Sequence, residues 1–242
     1  MLPVSVSALE RDLRDVFGAR LLSLVAYGLN AHHHPASDDH GPHPASEPVR
    51  TMAIVESLTE GDLRGCASRV RSWHEGGLAT PLIVPAHEFE RSLDVFPLEF
   101  AAIAADHVVA AGTDLFSRSV VENADVRRAC EVQARSHLLH LREGLVEAGG
   151  NSDALAVLIV DSARPLAALL ISLARLEGRG QLDTVGAGRH AERILALAGG
   201  VITDVVALTR VHEITAAEAE RIFPAYLAAM ERLVEYVDRW QQ

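Results

Sequence analysis

The spacing of apolar residues changes near Phe116, and this change restricts the chain to folds that join an alternating region to an all-helical one. Before Phe116, short apolar runs at residues 20–27, 52–55 and 81–84 indicate three buried strands, separated by segments with helical spacing. After Phe116, apolar residues recur at helical spacing through most of the remaining chain. The sequence therefore predicts two domains with different architectures, and the boundary is expected after residue 118.

The first expected domain, residues 1–118, combines strands and helices. Apolar residues from Leu9 to Phe17 recur at helical spacing after Ser5 and Ser7 and predict a first helix that ends at Gly18. Thr59 is placed to cap a second helix, which ends at Gly76. The segment 96–111 carries helix and strand signals together, and it is expected to supply a fourth strand or a hairpin. Strands that alternate with helices are typical of an α/β domain.

The second expected domain, residues 119–242, consists of helices joined by short loops. A long amphipathic helix ends at Gly149, and its apolar face comprises Val126, Cys130, Ala134, Leu138, Leu141 and Leu145. Three further helices are predicted over residues 154–176, 189–198 and 201–210. Thr215 and Glu218 form a capping-box pattern at the start of the last helix. Short connections between long helices predict an antiparallel bundle.

The charge balance limits the classes of partner. The chain has 33 acidic and 22 basic residues and a net charge of −11, which argues against a surface that coats nucleic acid. All the basic residues are arginine, so chemistry that needs an internal lysine, such as a P-loop phosphate clamp or a pyridoxal Schiff base, is excluded. Two cysteines, Cys66 and Cys130, are too few for a disulfide scaffold and fit a cytoplasmic protein.

The segment 154–176 is long and apolar enough to raise the question of a membrane span. Asp161, Arg164 and Pro165 interrupt its middle, and one charge there would cost about 2.5 to 3.5 kcal/mol on insertion scales. We therefore expect a core helix, kinked before Pro165, and no contact with a membrane. The chain also starts without the basic and apolar regions of a signal peptide.

Two stretches carry a resemblance to a known family. The first is Phe17-Gly18-Ala19-Arg20-Leu21-Leu22-Ser23-Leu24-Val25-Ala26-Tyr27-Gly28, and the second is Ala111-Gly112-Thr113-Asp114-Leu115-Phe116. With the order strand, polar loop, strand, helix, strand and helical bundle, they resemble the DNA polymerase beta nucleotidyltransferase superfamily. The chain looks closest to its branch of aminoglycoside and minimal nucleotidyltransferases, the latter paired with HEPN-type bundles. The resemblance implies an α+β fold, in which a domain with a small mixed sheet precedes an antiparallel α-helical bundle.

The resemblance also implies a catalytic centre. In the family, a Gly-Ser pair after the first strand binds nucleotide phosphates. An Asp-x-Asp pair on the next strand and a third carboxylate on a later one hold two Mg²⁺ ions for in-line transfer. Here Tyr27 and Gly28 occupy the corresponding turn, but Leu29 replaces the serine. The second strand carries no Asp-x-Asp and the third no carboxylate, so the nucleotide site is expected to be degenerate and no cofactor is expected.

An alternative places the carboxylates in the loop after Gly28. Asp38 and Asp39 begin close to the family spacing, and they would make the protein a divergent Mg²⁺-dependent nucleotidyltransferase acting on a small hydroxyl- or amine-bearing substrate. Two prolines follow within five residues, at Pro42 and Pro44, which a central strand does not accommodate. We therefore expect a protein that acts through binding or self-association rather than through transfer.

The same loop is rich in histidine. Imidazole and carboxylate ligands suit zinc, nickel or copper, and they are supplied here by His32, His33, His34, His40 and His43 with the neighbouring aspartates. One interpretation is a transition-metal site beside the turn at which the family binds nucleotide phosphates. The other is a polar loop without a ligand, because contiguous histidines point in different directions.

The helical domain contains one further pattern. Arg135 and His140 fit the arginine-x4-histidine pair of HEPN-type ribonucleases, although the alternative is a solvated helix edge with ion pairs between turns. Cys66, Cys130, His107 and His190 are expected to be structural. The predicted partners are a second copy of the chain, joined through the helical bundle, or another protein.

Overall fold

The computed structural model describes residues 2–29, 48–180, 182–211 and 213–239. It forms two compact units, Met1–Val121 and Glu122–Gln242, whereas the boundary expected from sequence lies after residue 118. A four-stranded mixed sheet in the first unit and a set of helices in the second confirm the α+β class.

The sheet of the first unit has the strand order β3-β2-β1-β4. β1 lies in the middle and is antiparallel to both β2 and β4, while β2 is parallel to β3. The three strands predicted from apolar runs are confirmed. The bounds are Leu21–Tyr27 for β1, Arg50–Val55 for β2, Leu82–Pro85 for β3 and His107–Gly112 for β4.

Helices cover both faces of this sheet. They are α1 (Val4–Phe17), α2 (Glu60–Ala67), α3 (Val70–Glu75), α4 (Ala86–Ser92) and α5 (Pro97–Ala105). One core lies between the sheet and α1 to α3 and includes Leu9, Leu24 and Trp73. The other core lies on the opposite face and contains Val25 and Met52 with three aromatic rings, those of Phe89, Phe100 and Phe116. Because both faces are buried, the central strands read as nearly continuous apolar runs.

The region after Thr59 differs from the single helix that was predicted. The cap itself is confirmed, because Thr59 Oγ1 accepts a hydrogen bond from the Asp62 backbone N–H and Asp62 bonds back to the Thr59 backbone. The helix is interrupted after Ala67, however, and α3 begins at Val70. Leu63 of α2 is 47% exposed, whereas Cys66, one turn later, is buried.

The segment 96–111 resolves into a helix followed by a strand. Pro97 stands in the first turn of α5, where its missing N–H is not needed, and α5 ends before Asp106. β4 then completes the sheet beside β1. The helix signal in this segment therefore belongs to α5, and the strand signal belongs to β4.

The second unit is built from α6 (Asn123–Ala148), α7 (Ser152–Leu176), α8 (Thr184–Ile194), α9 (Val201–Ala207) and α10 (Ala216–Arg239). α7 packs against the other four helices. The capping box at the start of α10 is confirmed, since Thr215 and Glu218 exchange backbone and side-chain hydrogen bonds. α8 begins five residues before the predicted helix, because Asp183 caps it by accepting from the Gly186 N–H.

In the part of the chain that the structure describes, α7 is the one helix long and apolar enough to span a membrane by length and composition. Its most apolar window has a mean hydropathy of 1.9. One side of α7 nevertheless forms the interior of the unit, with Ile159 and Leu166 fully buried. Asp161 and Arg164 are exposed, and the helix continues through Pro165. The interpretation as a core helix fits this packing.

Candidate functional site

The candidate site lies where β1 ends. Tyr27, the last residue of β1, is directly opposite Arg50 of β2 on one side and His107 of β4 on the other. Residues directly opposite each other on neighbouring strands project from the same face of a sheet. The three residues therefore form a row across the sheet, with a phenol between a guanidinium and an imidazole.

Gly28 makes the turn that follows this row. Its φ of 71° lies in the left-handed region, which glycine adopts without strain. The Gly28 N–H donates to the Asp106 carbonyl at 3.0 Å, which fixes the turn against the start of β4. Leu29 follows and is partly buried, so an apolar side chain takes the position of the hydroxyl that the family resemblance implies.

β2 offers no carboxylate to this site. Its five residues from Thr51 to Val55 are at most 1% exposed, and only Arg50 reaches solvent. β3, which runs parallel to β2, consists of Leu82-Ile83-Val84-Pro85 and has no acidic residue either. The strands on which the resemblance places metal-binding acids are thus apolar, with one arginine.

The charge beside Tyr27 is positive. Burial raises the pKa of Tyr27, and the Arg50 guanidinium opposes this shift because it favours the phenolate. A fixed guanidinium repels a divalent cation and attracts anions. Arg50 therefore disfavours a divalent cation at its end of the row, while the Asp114 carboxylate lies at the other end, 3.2 Å from His107 Nε2. The sequence shows Arg50 just before an apolar run, but only the strand register places this residue opposite Tyr27.

His107 is anchored rather than directed at a ligand. Its Nδ1 lies 3.1 Å from the Ile103 and Ala104 carbonyls, and its Nε2 lies 3.2 Å from Asp114 Oδ1. Burial raises the pKa of Asp114, but hydrogen bonds from the Ser117 backbone and from His107 outweigh it and lower that pKa. The pair ties β4 to the turn at Asp114, so the structural interpretation of His107 is supported.

The predicted metal ligands and alternative acids fall outside the described residues. This applies to Asp38 and Asp39 and to the histidines His32, His33, His34, His40 and His43. Within the described residues, no group of three or more His, Cys, Asp or Glu side chains is arranged to hold a metal ion.

The arginine–histidine pair of α6 is not assembled into a site. Arg135 donates to Asp238 of α10 at 2.6 Å and also lies 3.5 Å from Glu131. His140 is mostly exposed and is 3.3 Å from Glu143. Each residue thus has its own acidic partner, as expected for a solvated helix edge.

The two cysteines are core residues, as expected. Cys130 is completely buried, which raises the pKa of its thiol to about 12. Cys66 is 4% exposed, and burial raises its pKa as well. Neither thiol is suited to act as a nucleophile, because the reactive form is the thiolate.

Two buried polar clusters connect the helices of the second unit. In the first, Tyr226 OH lies 2.6 Å from His137 Nε2 and 2.9 Å from Ser162 Oγ, and so joins α10 to α6 and α7. Burial lowers the pKa of His137 to about 4. In the second cluster, Glu177 is hydrogen-bonded to both His190 and Tyr236. The clusters satisfy buried polar groups between helices, and they were not predicted because their members are far apart in sequence.

Comparisons with known proteins show the fold. No protein-family model and no curated protein matches the chain. Among solved structures, it is similar to a spectinomycin adenyltransferase from Enterococcus faecialis, crystallised with ATP and spectinomycin. The TM-score is 0.55 at 9% sequence identity, and the match covers 98% of this chain and 99% of the other. The mixed sheet with β1 at its centre, followed by a helical unit, is thus a nucleotidyltransferase-like fold.

Proposed function

We propose that this protein has a nucleotidyltransferase fold without a working transfer centre, and that it acts through binding. The observation that carries the proposal is the row at the end of β1, where Arg50 of β2 stands opposite Tyr27 and no acidic residue lies on β2 or β3. Two-metal transfer needs several carboxylate oxygens close together, because they ligate the two cations and hold them beside the attacking and leaving oxygens.

Self-association or contact with another protein is the binding mode that the chain favours. The net charge of −11 disfavours nucleic acid, and the cysteine content fits the cytoplasm. The separate cores of the two units would allow the helical unit to serve as the interaction module, with a boundary close to residues 118–121.

An activity assay tests the loss of transfer. The protein is incubated with ATP, Mg²⁺ and a panel of small aminocyclitols and aminoglycosides, and pyrophosphate release is followed. The proposal predicts release no faster than in a control without protein. Release that depends on both protein and acceptor would overturn it.

The second candidate is a divergent Mg²⁺-dependent nucleotidyltransferase, and the similarity to an adenyltransferase along almost the whole chain favours it. Its carboxylates would be Asp38 and Asp39. If the assay shows release, the double variant Asp38→Asn/Asp39→Asn should abolish it, while the variant Asp94→Asn should not. Retained activity in the double variant would exclude these two residues as the metal ligands.

A separate proposal places a transition metal at the histidine-rich loop. Elemental analysis of protein prepared without a purification tag should then show about one zinc, nickel or copper ion per chain. Substitution of His32, His33 and His34 by alanine should remove it. A metal content near zero in the unsubstituted protein would exclude the site.

A further inference from the structure

The imidazole ring of His107 lies between hydrogen-bond acceptors. Its Nδ1 is 3.1 Å from the carbonyl oxygens of Ile103 and Ala104, in the last turn of α5, and its Nε2 is 3.2 Å from Asp114 Oδ1. Only 13% of the His107 side chain is exposed. Among the described residues, these three oxygens are the hydrogen-bond partners of the ring, so an acceptor lies at each nitrogen.

Acceptors at both nitrogens require a proton on each. Neutral imidazole has one N–H donor and one acceptor nitrogen, whereas both nitrogens of imidazolium donate. A carbonyl oxygen accepts only. Although burial raises the pKa of Asp114, hydrogen bonds from the Ser117 backbone and from His107 outweigh it and lower that pKa, so this carboxylate also accepts only. With a neutral ring, one nitrogen lone pair would face an oxygen lone pair at 3.1 or 3.2 Å.

The aromatic neighbour of His107 also favours the charged ring. The centroids of the His107 and Phe116 rings are 5.0 Å apart, and the ring planes are inclined by 43°. A cation within about 6 Å of an aromatic centroid is attracted by the negative charge of the ring face. Phe116 is 5% exposed and belongs to the aromatic core beside the sheet, so water screens this attraction little.

Other charged groups lie on the elements around the ring, but they do not form an ion pair with it. They are Tyr27 on β1, Glu99 and Asp106 at α5, and Arg118 in the short 3-10 helix after β4. Burial raises the pKa of Tyr27, which keeps its phenol neutral where histidine titrates. α1 packs on the other face of the sheet. Within the described residues, Asp114 is the acid in ion-pair contact with His107.

The ring joins two segments that border the candidate site. Asp106 follows α5 directly; its N–H donates to the Ile103 carbonyl, and its carbonyl accepts from the Gly28 N–H at 3.0 Å. On the other side, Asp114 Oδ1 also accepts from the Ser117 N–H at 3.1 Å. The turn at Gly28 and the turn after β4 are therefore both connected through His107.

We infer that His107 is a proton-dependent clasp, which holds the end of α5 to the turn at Asp114 while its ring carries two protons and opens when the ring loses one. The inference goes beyond the proposed binding function, since it concerns when this end of the row is held closed. One proton passes from the ring to water, and no other covalent bond changes. The neutral ring can donate to only one of its two sides, and it loses the charge that attracts Asp114 and Phe116. Low pH therefore closes the clasp, and rising pH opens it.

NMR of the side-chain nitrogens tests the two protons in the unsubstituted full chain. Long-range ¹H–¹⁵N correlations distinguish imidazolium from both neutral tautomers, and they are recorded from about pH 5 to 9. The internal control is His87, which is 68% exposed and lies 3.8 Å from Glu88. We expect His107 to remain imidazolium at pH values at which His87 is already neutral. Loss of the His107 proton together with that of His87, or at lower pH, would overturn the inference.

Two matched variants test the part of Asp114. Asp114→Asn offers an amide in place of the carboxylate, so His107 should lose its second proton at lower pH than in the unsubstituted protein. Glu99→Gln removes a carboxylate from α5 that is not paired with the ring, and it should leave the titration of His107 unchanged. Circular dichroism confirms that both variants are folded. An equal effect of the two variants, or no effect of Asp114→Asn, would overturn the inference.

Hydrogen exchange of the unsubstituted protein tests the opening. The amides of Asp106 and Ser117 report on the two sides of the clasp, because one donates to the Ile103 carbonyl and the other to Asp114 Oδ1. After correction for the intrinsic pH dependence of exchange, protection of at least one of them should fall by about tenfold as His107 becomes neutral. Constant protection of both amides through the titration of His107 would overturn the inference.

Discussion

Arg20 and Asp62 form a bidentate ion pair. Nη1 donates to Oδ2 at 2.9 Å and Nη2 donates to Oδ1 at 2.7 Å, so the turn before β1 is joined to the first turn of α2. The same carboxylate closes the capping box with Thr59. A bidentate pair that also caps a helix connects two parts of the first unit that are far apart in sequence.

The stability of the first unit should therefore depend on Asp62. Hydrogen bonds from Arg20 and Thr59 hold the pKa of Asp62 well below its usual range. A carboxyl group whose pKa is lower in the folded state stabilises that state at pH values above its unfolded-state pKa of about 4. This stabilisation is lost as the pH falls towards the folded-state pKa. Asp62→Asn should lower the Tm at pH 7 by roughly 5 °C, and the difference should shrink below about pH 4.

The matched control for Asp62 is an exposed ion pair on the same helix. Glu60 and Arg64 are bonded, but their side chains are 77% and 79% exposed. Glu60→Gln should change the Tm by less than about 1 °C because exposed pairs contribute little. If both substitutions lowered the Tm equally, the proposed stabilising role of the Asp62 hydrogen bonds to Arg20 and Thr59 would be contradicted.

The second unit should lose stability in mild acid through His137. Burial lowers its pKa to about 4, whereas an unfolded histidine titrates near 6.5, so the unfolded state takes up the proton first. The free energy of unfolding should fall as the pH drops from about 6.5 to 4, by at most roughly 3 kcal/mol from this group. Urea titrations across that range should show a flatter profile for His137→Gln. His87→Gln, at an exposed position, should keep the original profile.

Tyr226 should be the most sensitive member of its cluster. Its hydroxyl is buried and contacts both His137 and Ser162, so Tyr226→Phe leaves a buried imidazole without its partner. We expect a loss of about 1–3 kcal/mol in the free energy of unfolding. Ser162→Ala should cost less, because Ser162 is only partly buried. A loss for Tyr226→Phe below that for Ser162→Ala would contradict this ranking.

Gly112 should tolerate no side chain. A Cβ added there would lie 2.0 Å from the Leu22 carbonyl oxygen, and its φ is 75°. Gly112→Ala should therefore destabilise the first unit by more than about 3 kcal/mol, because backbone has to move. Gly150→Ala has a similar φ of 85° but no neighbour within 4 Å, so it should cost only about 1–2 kcal/mol. Chemical denaturation of both variants distinguishes steric clash from left-handed strain.

Structural features that depend on a few neighbouring residues, such as helix caps, were predicted correctly from the sequence. The caps at Thr59 and Thr215 are read directly from side chains that can reach a nearby backbone N–H. The start of α8 was misplaced because Gly186 and Gly188 resemble loop residues. The structure explains Gly188, since a Cβ there would lie 3.0 Å from Val206 and 3.1 Å from the Thr203 backbone, so glycine permits close packing of α8 on α9.

The candidate site was predictable only in part. Gly28 and the absence of acids on β2 and β3 follow from the sequence once the strands are located. The row of Arg50, Tyr27 and His107 depends on strand pairing over more than twenty residues, which periodicity does not specify. Asp38 and Asp39 lie outside the described residues, and their role stays a prediction.

Titration calorimetry with ATP, in the presence and absence of Mg²⁺, tests the central claim of a lost transfer centre most directly. With Arg50 beside Tyr27 and no carboxylate on β2 or β3, we predict no micromolar binding that depends on Mg²⁺. The variant Arg50→Ala should bind Mg²⁺–ATP no more tightly, because removal of the guanidinium supplies no metal ligand. Micromolar binding of ATP by the unsubstituted protein, present with Mg²⁺ and absent without it, would contradict the account.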